Sequence, residues 1–361
     1  MKKLMIIMMF LLLINISGCG FKDIDKRFLV VAIGVDKGEV KKYNVTLKLI
    51  IPTALVSPGQ SKYQLIHYEG DSISEAIEYL RSEIDKQLDL GHAKITIIGE
   101  ALAQDQISNH FDWFIRRRGI QRIEYVALGQ PSAKDILSLS QQSERLAGNS
   151  LILSFGHEGT ESSFIVTEYL YDFYERLLEK GKDPFMPVIR VRGDTYEINQ
   201  AALFDKEQVK LMLDPNDTRM FKALLMKKSN FEVRVKEDPL EYTLSVQHLR
   251  YHFKIVTPSN GDPYLQLDMK VKGIAEESDT IQFHESWNEI ERAAEQSLER
   301  SIKQLLEKMS AQQLDPLGFG LRYMATRHDG EKEWEDWQSI YPKLQFRVNV
   351  KVTLEGTGEI N

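Results

Sequence analysis

Between residues 72 and 88 the apolar positions fall at Ile73, Ala76, Ile77, Leu80, Ile84 and Leu88, the spacing of one helical face, and Ser72 with Glu75 supplies a capping box ahead of it. A helix is predicted there, stopped at Gly91. Other stretches carry the period of a strand. Phe28 to Asp36 is apolar and β-branched, Tyr43 to Ile51 alternates, and the Asp36-Lys37-Gly38-Glu39 segment between them predicts a hairpin. Tyr63 to Tyr68, Ala93 to Ile98 and Glu124 to Leu128 read as further strands, and Ala54 to Lys62, with Pro58 and Gly59, as a loop. Helices are predicted at Phe111 to Arg118, Ser132 to Leu139 and Ser163 to Leu178. Strands alternating with helices make this half mixed α/β. Pro184 to Lys210 returns to strand, and Asp214-Pro215 opens a helix running to Met226.

The C-terminal third has the sharpest pattern. Leu244 to Val256 is strand-like, and Pro258 to Pro263 is a dense turn signal. Leu265, Leu267, Met269 and Val271 then alternate with Gln266, Asp268, Lys270 and Lys272. Leu344, Phe346, Val348, Val350, Val352 and Leu354 repeat the alternation at the end of the chain. One wet and one buried face predict an antiparallel sheet covered on one side. Its cover is a long amphipathic helix from Trp287 through Ile290, Ala294, Leu298, Ile302, Leu305 and Met309. The other face of that helix, with Glu289, Glu291, Arg292, Glu295, Glu299, Arg300 and Lys303, reads as solvated. The fold class is therefore α+β and multi-domain. The predicted division is a signal segment 1–18, an N-terminal α/β region 19–213, with room for two subdomains, and a C-terminal α+β domain 214–361. The charged Lys236 to Pro239 run lies near a boundary.

The N-terminus adds a compartment. Lys2 and Lys3 precede an unbroken apolar run from Leu4 to Ile14, too short for a transmembrane span of ~20 residues but the length of a signal-peptide core. Ile16, Ser17, Gly18 and Cys19 follow, a branched apolar residue, two small ones and a cysteine. This is a lipobox pattern, with cleavage between Gly18 and Cys19 and a diacylglyceryl group on the Cys19 thiol; the plainer alternative is an ordinary signal peptide with an incidental cysteine. The chain has 1 Cys, so no intramolecular disulfide is possible. Two acyl chains on one sulfur suffice for stable anchoring where one does not.

The formal net charge of −7 becomes about −9 when Lys2 and Lys3 leave with the signal. An acidic body argues against nucleic acid, which demands a basic face, and against general electrostatic adhesion to anionic lipid. Candidate chemistry is sparse. His248 and His252 lack the glutamate of H-E-x-x-H and fall in a strand, so no metal site and no cofactor are predicted. Gly318-Phe319-Gly320 lacks the rest of a dinucleotide-binding loop and reads as a turn; no nucleophile elbow and no P-loop occur. Arg116, Arg117 and Arg118 sit at a helix end, where they favour the helix dipole or contact an acidic partner or lipid headgroup. Trp334 and Trp337 share one helical face, for core packing or an interface.

Gly70-Asp71-Ser72-Ile73, the run His92 to Glu100, Arg116, Asp135-Ile136-Leu137, the run Asp315 to Gly320, Trp334, Trp337 and Tyr341-Pro342 stand in an order that resembles the Ger(x)C family, the C-subunit lipoproteins of bacterial spore germination receptors. Cys19 matches the acylated cysteine of that family, although Gly20 and Phe21 follow it where many members carry an aromatic–acidic pair. The resemblance implies an elongated body of α/β domains with no known catalysis. It implies a lipoprotein on the outer face of the cell or inner spore membrane, acting with two integral membrane subunits of a receptor for nutrient germinants. Two other readings compete: a solute-binding lipoprotein, and a cell-wall hydrolase using a carboxylate pair such as Glu285 and Glu289.

Overall fold

A computed structural model describes residues 26–50, 63–139, 149–156, 162–227, 230–238, 240–278, 287–327 and 331–356. Within them the chain forms two sheets with helices on their faces, an α+β fold.

The first part runs β1 (Arg27–Lys37), β2 (Tyr43–Ile50), β3 (Tyr63–Gly70), α1 (Ile73–Ser82), β4 (Gln87–Asp89), β5 (Ile95–Gly99), α2 (Glu100–Ala103), α3 (Ile107–Arg116), β6 (Tyr125–Gln130), α4 (Ala133–Ser138), α5 (Asn149–Phe155), α6 (Leu170–Leu178), β7 (Phe185–Arg192), β8 (Thr195–Phe204) and β9 (Val209–Leu213). Eight of these strands pair in the order β3-β2-β1-β5-β6-β7-β8-β9, with β4 alongside the start of β1. The outer strands are antiparallel hairpins, and the central four, β1, β5, β6 and β7, are parallel. Parallel strands are covered by helices on both faces, so they lose the alternation of one-sided sheets. That is why residues 28–36 and 95–99 read as unbroken apolar runs. One face packs on α1, α3 and α6 through Leu80, Phe111, Phe114 and Phe173, and the other on α4 and α5 through Ile136, Leu137, Leu151 and Phe155.

The second part runs α7 (Pro215–Met226), β10 (Phe231–Glu237), β11 (Leu240–Val256), β12 (Tyr264–Ser278), α8 (Trp287–Ala311), α9 (Phe319–Ala325), α10 (Glu331–Ile340) and β13 (Gln345–Gly356). The strands order as β10-β11-β12-β13. Helix α8 lays Ile290, Ala294, Leu298, Ile302, Leu305 and Met309 on this sheet, as the spacing predicts. The same core continues onto Phe185, Ala201 and Leu203 of the larger sheet, so one apolar cluster joins the two.

Several expectations are corrected. The C-terminal sheet is not wholly antiparallel: β13 pairs parallel to β12. The 25-residue helix α8 between them is a crossover, and a crossover returns the chain in the same direction. The helix at 73–88 ends at Ser82, because Gln87 to Asp89 leave it to pair with Arg27 to Leu29 as β4. The helix expected at Ser163 to Leu178 begins only at Leu170. The residues before it lie along β6, where Val126 N–H donates to the Glu168 carbonyl at 3.0 Å and Leu170 N–H to the Glu124 carbonyl at 2.9 Å. Strand β10 alternates as cleanly as its neighbours and was not anticipated; Lys236 and Glu237 of the charged run are its last residues, paired with Glu241 and Leu240 of β11, and Pro239 lies outside the described residues. The signal segment 1–18 and the Ala54 to Lys62 loop lie outside the described residues.

Candidate functional site

The densest buried polar chemistry lies where the two parts of the chain meet. In α6, Leu170, Phe173 and Leu177 form the apolar stripe, and Arg176 sits beside them on the buried side. Its guanidinium stands 2.7 Å from the Glu168 carboxylate, an ion pair without hydrogen-bond alignment. It donates to the carbonyls of Pro316 at 2.9 Å and Asp183 at 3.1 Å, and lies over the Phe185 ring. One side chain of the larger unit thus holds backbone of the smaller one.

Asp183 and Asp315 reinforce the joint from both sides. Asp315 N–H donates to the Asp183 carboxylate at 2.7 Å, and Asp183 N–H donates to the Asp315 carbonyl at 2.9 Å. The Asp315 carboxylate, 3% exposed, accepts from the N–H of Phe319 at 3.0 Å and of Gly320 at 2.6 Å. These donors belong to the first turn of α9, which has no helical partners for them, so Asp315 serves as its cap. Burial still pushes the Asp315 carboxyl up to about 7 against the pull of those N–H groups. Lys206 bridges to Asp183 at 3.2 Å and donates to the Lys182 carbonyl at 2.7 Å, its ammonium depressed by burial.

Glycine is required twice. Gly181, at φ +76°, accepts from Leu321 N–H at 2.9 Å. A Cβ on Gly320 would stand 2.3 Å from the Trp337 indole nitrogen and 2.8 Å from the Gly181 Cα. The Gly318-Phe319-Gly320 stretch is accordingly more than a turn: Gly318, at φ +77°, precedes a helix whose first two residues are Phe319 and Gly320. Trp337 is buried and stacks on Tyr341, whose hydroxyl donates to the Leu314 carbonyl at 2.6 Å. The two tryptophans are therefore core residues, Trp334 partly so.

Two residues that carry the family resemblance in the first half, Ser72 and Gly99, have structural roles. Ser72 caps α1, accepting from Glu75 N–H at 3.1 Å. Asp36, in β1, accepts from Ala133 N–H at 2.7 Å and Lys134 N–H at 2.9 Å, capping α4 from 97 residues away. Gly99 leaves room for it; a Cβ there would stand 1.9 Å from the Asp36 carboxylate.

Other candidates do not converge. Cys19, Gly18 and Glu285 lie outside the described residues. His248 and His252 project from the exposed face of β11, about 13 Å apart at four strand residues, and His252 stands 3.4 Å from Asp268. Glu289 is exposed on α8. Among the described residues no cluster of three or more His, Cys, Asp or Glu is placed to hold a metal, and no helix is long and apolar enough to cross a membrane. Arg116 pairs with Asp112 at 2.8 Å, while Arg117 and Arg118 line a cleft of about 170 Å³ with Arg27, Arg81 and Asp89. Sequence reasoning missed Arg176 and Glu168; the signal available was a charged residue on the apolar stripe of α6.

Residues 20–191 match the family model described as the spore germination protein N-terminal domain, and residues 199–358 that described as spore germination B3/GerAC like, C-terminal. The chain is 21% identical over 365 residues to spore germination protein GerQC of Bacillus cereus, covering 98% of this chain and 99% of that protein. It is 22% identical over 399 residues to spore germination protein KC of Bacillus subtilis (strain 168), covering 99% and 96%. Its fold resembles the crystal structure of the GerBC protein at a TM-score of 0.58 and 16% identity, over 90% of this chain and 96% of that one.

Proposed function

Because the chain belongs to the Ger(x)C family of spore germination proteins, we propose that it is the lipid-anchored subunit of a nutrient germinant receptor and acts there by assembly rather than catalysis. In this reading residues 1–18 are removed as a signal, Cys19 carries a diacylglyceryl group, and the body splits into an N-terminal region 19–213 and a C-terminal domain 214–361. The body stands on the outer face of the membrane, in the spore its inner membrane, beside two integral membrane subunits.

One observation carries the non-catalytic part. The most elaborate polar cluster, Glu168, Arg176, Asp183, Lys206 and Asp315, is spent on ion pairs and backbone carbonyls and amides within the joint. A catalytic constellation keeps a reactive group turned toward a substrate; these groups are turned toward each other. Such a joint fixes the two sheets as one platform, which suits a subunit that holds others in register.

The anchor is tested by Cys19→Ala in the native chain. The expected outcome is loss of the protein from the spore membrane fraction and slowed germination with nutrients. A variant that stays in the membrane and supports normal germination contradicts the proposal.

A further inference from the structure

We propose that the arginine-lined cleft at the start of β1 docks the phosphates of anionic phospholipid headgroups. The inference rests on the reading that Cys19 is lipidated. The cleft, about 170 Å³, is lined by Arg27, Arg81, Asp89, Arg117 and Arg118 among others. Two of these arginines are paired, Arg27 with Asp89 at 2.7 Å and Arg81 with Glu78 at 3.1 Å, so Arg117 and Arg118 supply the cleft's excess positive charge. This density of positive charge runs against a chain whose net charge is −7. Gly119, at φ +94°, would place a Cβ with nothing within 4 Å, so the rim is open to an incoming group. Arg81 and Arg118 are exposed, and Arg117 is half-buried with its guanidinium 5.6 Å over the Trp113 ring.

Guanidinium is planar, weakly hydrated and matched to phosphate oxygens in paired hydrogen bonds, which makes arginine a phosphate reader. The position of the cleft supplies the source of the phosphate. Arg27 is the first residue of β1 and stands eight residues after Cys19. A fully extended chain of eight residues spans at most about 28 Å. An anchor at Cys19 would therefore hold the cleft within that reach of the bilayer surface. The acidic remainder of the body does not share this attraction, so the patch would also set which end of the molecule faces the membrane.

The test uses the mature chain from residue 19 carrying Cys19→Ser, so that acylation plays no part. Partition is measured into vesicles of phosphatidylcholine alone and of phosphatidylcholine with phosphatidylglycerol. Binding is expected only to the anionic vesicles, falling as salt rises. R117A/R118A should weaken it about thirty-fold, from the attraction each arginine contributes near an anionic surface. K303A/K343A removes the same charge from α8 and the turn before β13 and should leave partition unchanged; circular dichroism confirms that both variants fold. Millimolar inorganic phosphate should not displace the protein. The proposal is overturned if the parent ignores phosphatidylglycerol, which would leave the cleft to an acidic protein surface. It is equally overturned if R117A/R118A binds like the parent, if the control weakens as much, or if free phosphate competes. None of these outcomes touches the anchor, which is read separately from the mass of the N-terminal peptide.

Discussion

Glu124 is 1% exposed, and its carboxyl accepts from the Thr96 hydroxyl at 2.8 Å. Burial outweighs that hydrogen bond and pushes its carboxyl up to about 7 from the ordinary 4.5. A carboxyl with a raised folded-state pKa binds its proton more tightly in the folded chain. The stability that proton contributes is complete below about pH 4.5 and is lost as pH rises through about 7. Glu124→Gln should therefore be more stable than the parent at pH 8.5, by on the order of 2 kcal/mol, and about equal at pH 5. Denaturant melts at the two pH values check this; an identical pH dependence in parent and variant would contradict it. Residues of this kind divide by how far away their partners lie. The Ser72 cap could be read from the sequence because its partner Glu75 is three positions on. The roles of Asp36 and Asp315 could not, since Asp36 caps a helix 97 residues later and Asp315 answers Asp183 across 132.

Between α8 and β13 a ladder forms that no single residue announces. Glu291, Glu295 and Glu299 accept from the backbone N–H of Leu354, Val352 and Val350, at 2.9, 3.1 and 2.9 Å. Four residues of helix rise about 6 Å and two residues of strand about 6.6 Å, so every fourth side chain meets every second amide. β13 is the last strand of its sheet, and these carboxylates occupy outward amides that an edge strand would otherwise offer to another chain. The expectation of a simply solvated face is thus corrected for these three glutamates. E291A/E295A/E299A should lower the melting temperature and produce dimers or larger species in sedimentation; a monomer with unchanged melting would show the ladder to be idle. The periodic elements, α8, β12 and β13, were readable because one face of each is buried and one wet. Strand β4 was not, being three residues long and set by its partner rather than by its own pattern. The parallel pairing of β13 was missed because alternation reports burial and not strand direction.

The two parts of the molecule share one apolar cluster and the polar joint around Arg176. The parent chain should therefore unfold as one cooperative unit in calorimetry. Arg176→Met removes one partner of a buried ion pair and leaves Glu168 uncompensated, a change that costs about 3–5 kcal/mol. It should also split the transition in two, with the parts melting separately, while E168Q/R176M should recover part of the loss. A single unshifted transition in Arg176→Met would mean that the joint carries no coupling. At this scale the fold class was readable from the sequence, but the joint was not, because it is made of residues distributed from 168 to 341 whose meeting only the topology arranges. A platform of two fused parts, with arginines gathered beside its first strand, fits a protein held at a membrane by its N-terminus.

That placement is tested most directly by purifying the protein from spore membranes in mild detergent and weighing its N-terminal peptide. The account predicts that the first residue is Cys19, heavier by a diacylglyceryl group, and that integral membrane proteins purify with it. An N-terminal peptide that begins at Met1 with an unmodified Cys19 thiol would contradict it.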